Sequence, residues 1–194
     1  MILKGKKVTL RPVEQGDIEF MRNLINDPWM EGRIVGWALP ISKKDQEQWY
    51  ANYRNTDKEI RFIVETEMDG VVGLTGLKDI DYKNGVATSA GMRIKRDIQS
   101  KGVATDAYMT MFRYAFNELR LHRVNTSALE ENAISIHVME KVGCIREGLH
   151  RDAIFKKGEY KNLVTMGCLA SDYWRKAEEM GYWDDPKIIG ANVR

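Results

Sequence analysis

The sequence predicts an α/β (α+β) protein in which one twisted, mixed but mostly antiparallel sheet of about seven strands is flanked by about four helices. Three observations carry this expectation. Short runs rich in Val, Ile and Thr, punctuated by Asp69-Gly70 and Asn84-Gly85, recur through the first half of the chain as strands and hairpin turns do. Tyr108, Met111, Phe112, Ala115 and Leu119 follow helical spacing, with Arg113, Asn117 and Glu118 on the opposite side. Finally, 194 residues with 43% hydrophobic and 30% charged content suit one soluble domain with a single substantial core.

The elements follow in order. Val8 to Pro12 reads as a short strand, and Asp17 opens a helix whose Ile18, Met21, Leu24 and Ile25 share a face. Trp29, Met30 and Trp37 then sit among Pro28, Gly32, Gly36 and Pro40, which is turn chemistry bearing large apolar side chains. Such residues either roof the core or line a substrate pocket. Ser42 caps a second helix that reaches Tyr53. Arg61 to Glu65 and Val71 to Asp79 are the next strands, and Ala87 to Ile94 alternates as another. After the helix that ends near Leu119, Arg123 to Leu129 is a strand and Asn132 to Val142 a helix stopped by Gly143. Cys144 to Gly148 and Asn162 to Leu169 supply the last two strands, with a polar stretch between them. Residues 1–170 are thus expected to form one domain. Residues 171–194, with Trp174, Tyr182 and Trp183, are expected to form a terminal helix and arm packed on that domain or on a partner subunit.

Composition narrows the function classes. No apolar run is long enough to cross a bilayer, and the basic start of the chain is not followed by an apolar segment, so a cytoplasmic location is expected and no membrane partner. The net charge of +2 arises from interspersed signs, which leaves no footprint for nucleic acid. Cys144 and Cys168 lack C-x-x-C spacing, and His122, His137 and His150 are isolated, so no metal site is expected. Cys144 could in principle serve a covalent ping-pong route, but inert packing is the preferred reading of a lone apolar-flanked thiol.

The chemistry is expected around Gln99-Ser100-Lys101-Gly102-Val103-Ala104, between a strand and a helix. Gly102 and the small Ala104 allow a tight turn and close ligand approach. A helix entry of this kind aims unpaired N–H groups and the positive end of the helix dipole at one point, which suits a phosphate or pyrophosphate. The loop lacks both the G-x-x-x-x-G-K-S/T pattern and the three spaced glycines of a dinucleotide fingerprint. It resembles the Q/R-x-x-G-x-G/A motif of the GNAT N-acetyltransferase superfamily, through Gln99, Gly102 and Ala104. A second stretch, with Asn132 and Ser135 followed by Glu140-Lys141 and Gly143, then Glu147-Gly148, resembles the subgroup containing ribosomal-protein N-terminal (alanine or serine) and spermidine N-acetyltransferases. The resemblance runs from Val8 to about Leu169.

That resemblance implies a sheet split at an acetyl-CoA cleft, with acetyl-CoA bound by Met92, Arg93, Ile94, Gln99, Ser100, Lys101, Gly102, Val103, Ala104, Thr105, Asn132, Ser135 and Lys141. It implies direct attack of a primary amine on the thioester in a ternary complex, the oxyanion meeting a backbone N–H near Met92. Many relatives carry a tyrosine acid where Met139 stands here and a glutamate base where Ser89 stands. Ser135, one turn before Met139, is the expected substitute acid. Glu147, His150 and Glu65 are candidate bases, of which Glu147 is preferred, beside a water chain. Trp29, Met30, Trp37, Ser89, Tyr160 and Asn162 are the candidate acceptor residues, the last two from a G-x-Y-x-D/N turn. The acceptor is expected to be a protein N-terminus or a small amine, the alternatives being a polyamine or a nucleotide-linked amino sugar. A non-catalytic CoA-binding sensor is the rival from another class, and a homodimer or larger homo-oligomer is expected by the same resemblance.

Overall fold

The computed structural model describes residues 1–36, 39–98 and 101–184. Nine strands form one sheet among these residues: β1 (Leu3–Lys4), β2 (Val8–Arg11), β3 (Ile60–Thr66), β4 (Gly70–Asp81), β5 (Val86–Ser89), β6 (Arg93–Ile94), β7 (Arg123–Leu129), β8 (Ile145–Lys156) and β9 (Glu159–Leu169). The spatial order is β1-β2-β3-β4-β5-β7-β9-β8, with β6 paired to β4. Six helices cover it: α1 (Ile18–Ile25), α2 (Pro28–Glu31), α3 (Lys43–Asn52), α4 (Val103–Asn117), α5 (Ala133–Lys141) and α6 (Ala170–Glu179). The mixed, mostly antiparallel character is as expected, and the extra strands and helices are mostly short pieces below the length at which periodicity is readable.

Each face of the sheet has its own core. On one face α4, α5 and α6 bring Met109, Met111, Phe112, Ile136, Met139 and Tyr173 against Leu77, Ala87, Val124 and Met166, all buried. On the other, Met21, Leu24 and Met30 from α1 and α2 pack on Ile63 and Leu74. At about 25 cal/mol for each Å² of apolar surface removed from water, these two layers are the main source of stability.

The expected single strand from Ala87 to Ile94 is interrupted. Ser89 and Ile94 both face the α4 side although they lie five residues apart, an odd offset that a continuous strand cannot satisfy. Gly91, at φ +88°, supplies the break, and the chain re-forms as β6. The polar stretch after Gly148 is likewise strand, not loop. β8 runs unbroken in sequence to Lys156 as the outermost strand, with bulges at Arg146/Gly148 and His150/Ile154. An edge strand exposed on both faces shows no alternation, which is why the pattern reads as loop.

The end of the described chain lies against its own core. The Tyr173 hydroxyl donates to the Met109 carbonyl at 2.8 Å and accepts from Trp183 Nε1 at 2.8 Å.

Candidate functional site

The site begins with a split in the sheet. β5 and β7 run parallel and pair at Val86/Arg123, Ala87/Val124 and Thr88/Asn125. Beyond that point β7 stays with β9 through Leu129, whereas the other strand turns at Gly91 and joins β4 as β6. The result is a wedge between residues 89–94 and 126–129. Since β5, β6 and β7 share one direction, the helices that follow β6 and β7, α4 and α5, both begin at the open end of that wedge. A crevice outside the carboxyl ends of diverging strands is a natural ligand site.

At one corner α4 starts from Gly102, at φ +77°, with no side-chain cap, and its first-turn N–H groups have no partner among the described residues. Lys7 reaches this corner from the β1–β2 turn, its Nζ donating to the Lys101 carbonyl at 2.9 Å. A Cβ on Gly102 would approach that same Nζ to 3.2 Å. Lys7 is held there by Asp106, whose buried carboxylate accepts the main-chain N–H groups of Lys6 (3.1 Å), Lys7 (2.5 Å) and Val8 (2.8 Å) and the Tyr182 hydroxyl. Gly5 is required for this approach: a Cβ there would lie 2.6 Å from the Asp106 carboxylate. Sequence reasoning missed Lys7 and Asp106, because a contact across about a hundred positions leaves no local pattern. The bare N–H cradle plus a fixed ammonium fits the pyrophosphate of a coenzyme A thioester.

At the other corner Asn132 caps α5. Its Oδ1 accepts from the Ser135 N–H at 3.2 Å, and its Nδ2 donates to the Arg33 carbonyl at 3.0 Å, so its side-chain amide is committed to the protein. Ser135 is half-buried, and its hydroxyl has no partner among the described residues. Met139 lies in the core, its sulfur accepting from the Thr126 hydroxyl at 3.0 Å. At the apex of the wedge, where the strands first part, Tyr108 of α4 contacts the hydroxyls of both Ser89 and Thr126, one on each diverging strand; burial pushes its phenol up to about 12, so it is neutral at physiological pH.

Three expected residues are placed differently from a site role. Glu147 pairs with Arg123 through both carboxylate oxygens at the closed end of the wedge, where β5 and β7 still pair. The Arg123 guanidinium holds that carboxyl below its usual range, which makes it a weaker base as well as a distant one. Met30 is a core residue of the second layer, not a pocket wall. Ser89 is buried on the α4 side, its hydroxyl accepting from the Gly91 N–H at 3.3 Å. The side chains of Ile94 and Val103 are in the core, leaving only their backbone to a ligand. Met92 and Arg93 are half-buried in the wedge wall, and Lys101, Ala104 and Thr105 surround the α4 start; Lys141 is exposed at the far end of α5. Glu65 is bound to Arg11 at 2.7 Å, and His150 is exposed on β8. Tyr160 is exposed and packs edge-on to Phe155, while Asn162 bridges Asp152 and Glu130. Trp37, Gln99 and Ser100 lie outside the described residues.

Residues 27–36 roof the wedge from the α1–α2 side. They are stitched to α5 by Asn132 and to β8 by Lys156, whose buried ammonium donates to Glu31 and, at 2.8 Å, to the Gly36 carbonyl. Both thiols, Cys144 and Cys168, are buried and free. Contact with Cys144 and burial push Cys168 far up, so it carries no thiolate. No helix among the described residues is long and apolar enough to cross a membrane.

Comparison with known proteins agrees with this geometry. The acetyltransferase (GNAT) domain family matches residues 7–145. The spermidine N(1)-acetyltransferase of Vibrio cholerae is 29% identical over 182 residues, 90% of this chain and 99% of that protein. The Bacillus subtilis protein YdaF, provisionally named a ribosomal N-acetyltransferase, is 26% identical over 177 residues, 87% of this chain and 94% of its own. A crystal structure of the Vibrio cholerae spermidine N-acetyltransferase in complex with CoA and spermine superimposes with a TM-score of 0.79 at 28% identity, covering 87% of this chain and 98% of that one.

Proposed function

Because the chain belongs to the GNAT acetyltransferase family, we propose that it acetylates a small primary amine directly, in a ternary complex with acetyl-CoA, with Ser135 as the acid that serves the leaving sulfur. Acetyl-CoA supplies the activated acyl group. The observation that carries the reading is the wedge, with an anion cradle at one corner and an unpartnered hydroxyl at the other.

The residues divide the work as follows. The N–H groups at the start of α4, with Lys7 and Lys101, hold the pyrophosphate, and the backbone of Met92 to Ile94 orients the thioester arm. A main-chain N–H near Met92 stabilises the oxyanion in a low-dielectric wall. The Ser135 hydroxyl, at the N-terminus of α5, donates a hydrogen bond to the leaving sulfur and relays to it the proton that water carries from the amine, so that the serine ends as a neutral hydroxyl. Asn132 caps the same turn by accepting the Ser135 main-chain N–H. The candidate carboxylates Glu147 and Glu65 are tied to Arg123 and Arg11, so water carries the proton from the incoming ammonium. Trp29 and the neighbouring loop receive the acceptor. Cytoplasmic location and homo-oligomer formation belong to the same reading. The exposed Ile145, Leu149 and Phe155 of edge strand β8 support assembly.

The test is thiol release from acetyl-CoA against a panel of peptides, polyamines, amino sugars and amino acids. Turnover that Ser135→Ala lowers while acetyl-CoA affinity is kept supports the reading. Tight acetyl-CoA binding without turnover on any amine favours a sensor, and absence of binding rejects the site.

A further inference from the structure

The roof and the wall beneath it carry several cations that no carboxylate of the described residues pairs. Arg93 pairs in register with Leu74, so its side chain projects to the α1–α2 face, the face opposite Ile94. Its Nε is buried without a hydrogen-bond partner, and burial, with the Arg61 cation on the same face, holds its guanidinium below the usual value. Lys95 follows, 5.6 Å from the Phe20 ring of α1, and Arg96 lies 5.5 Å from the Trp29 ring of α2. Arg33 covers the same Trp29 ring at 4.2 Å. Among the described residues none of Arg33, Arg93, Lys95 and Arg96 has a carboxylate partner.

Most carboxylates of the same region are already occupied, and Asp97, beside Arg96, is exposed to solvent. Glu31 is neutralised by the buried ammonium of Lys156, Asp27 caps α2 by accepting from the Trp29 N–H at 2.8 Å, and Asp45 closes the cap of α3 with Ser42. Glu59 holds Arg61. A polycation arriving here meets Lys156 where it needs a carboxylate, two guanidinium groups over the Trp29 indole and a lysine over the Phe20 ring. Desolvating a guanidinium with no counter-ion is costly, and a bound anion removes that cost.

We propose that the acceptor is a primary amine that also carries a phosphate or carboxylate, bound through Arg93 with Arg33 and Arg96 beside Trp29. This rests on the acetyl-transfer reading above and specifies its substrate class. The amine must enter as ammonium and lose its proton, so the anionic group sets the position while the wedge supplies the chemistry.

The experiment uses matched pairs, glucosamine with glucosamine 6-phosphate and an amino acid amide with the corresponding free amino acid, together with spermidine. Thiol release is measured, and binding of each amine to the protein–CoA complex is measured by calorimetry. The anionic member of a pair is expected to show kcat/KM or affinity about ten- to a hundredfold higher, as for a charge-assisted bidentate contact. Arg33→Gln and, independently, Arg96→Gln, both exposed and neither assigned to the cofactor, should reduce that preference, with the acetyl-CoA KM unchanged within about twofold. The two kinds of pair distinguish phosphate from carboxylate. Equal members in both pairs, or spermidine as the preferred ligand, overturns the proposal. So does a rise in acetyl-CoA KM in both variants with the pair preference intact, because the cations then serve the cofactor. Loss of acetyl-CoA binding by the unaltered protein instead rejects the underlying reading.

Discussion

The Asp106 carboxylate, on the first turn of α4, accepts the Val8 main-chain N–H at 2.8 Å across 98 positions of sequence. One buried side chain thereby joins the N-terminal hairpin, the helix of the anion cradle and, through Tyr182, the last described residues. Asp106→Ala leaves three main-chain donors without this acceptor. It should lower stability by about 2–4 kcal/mol and weaken acetyl-CoA binding, because Lys7 loses its anchor. Urea unfolding and calorimetry measure the two effects, and unchanged affinity in a folded variant would separate the hairpin from the site.

Lys7→Ala isolates the charge from the anchor. The ammonium rests on an exposed loop carbonyl, so stability should change by less than about 0.5 kcal/mol. The acetyl-CoA KM should rise about three- to tenfold with kcat kept, and the difference should shrink in high salt.

Lys156 and Glu31 form the pair that fastens the roof to β8. Lys156→Met strands a carboxylate and frees the Gly36 carbonyl, with an expected loss of about 3–5 kcal/mol. The double variant Lys156→Met with Glu31→Gln should recover part of it, and the double-mutant cycle in thermal unfolding gives the coupling.

The pH limits have opposite origins. Burial raises Tyr108 to about 12 and raises Tyr173 and Tyr182 as well, so between the unfolded phenol value near 10 and these raised values the folded chain holds protons the unfolded chain has released. Stability present below about pH 10 is therefore lost as pH rises through that window. On the acid side, burial opposes ionisation of Asp17, but the Arg11 guanidinium and the Glu14 N–H outweigh it and hold its carboxyl below the usual range. That contribution is present above about pH 4 and is lost as pH falls through the lowered value. Unfolding free energies from pH 3 to 11 should show both declines, with Arg11→Met removing much of the acid one.

The two cysteines should be silent toward a thiol reagent in the native protein and react together on unfolding, because Cys144 and Cys168 are both inside the main core. Rapid native labelling of Cys144, with loss of activity, would instead revive a covalent route.

Local pattern determined much of this protein. The buried stripe of α4, the Ser42 cap of α3, the strand from Arg123 to Leu129 and the left-handed Gly102 at a helix entry are all decided by a few adjacent residues, whose spacing and conformational freedom are written in the sequence. The resemblance carried by Gly102, Ala104, Asn132 and Ser135 added the reaction class. Only the tertiary structure decided what each polar side chain is free to do. Glu147 is spent on Arg123, Asn132 on its own cap and on Arg33, and Lys156 on Glu31, while Arg93 is left without a partner. Charge and hydrogen-bond partners are long-range properties: they depend on which strands the sheet brings side by side, and a sequence fixes that only through the whole fold.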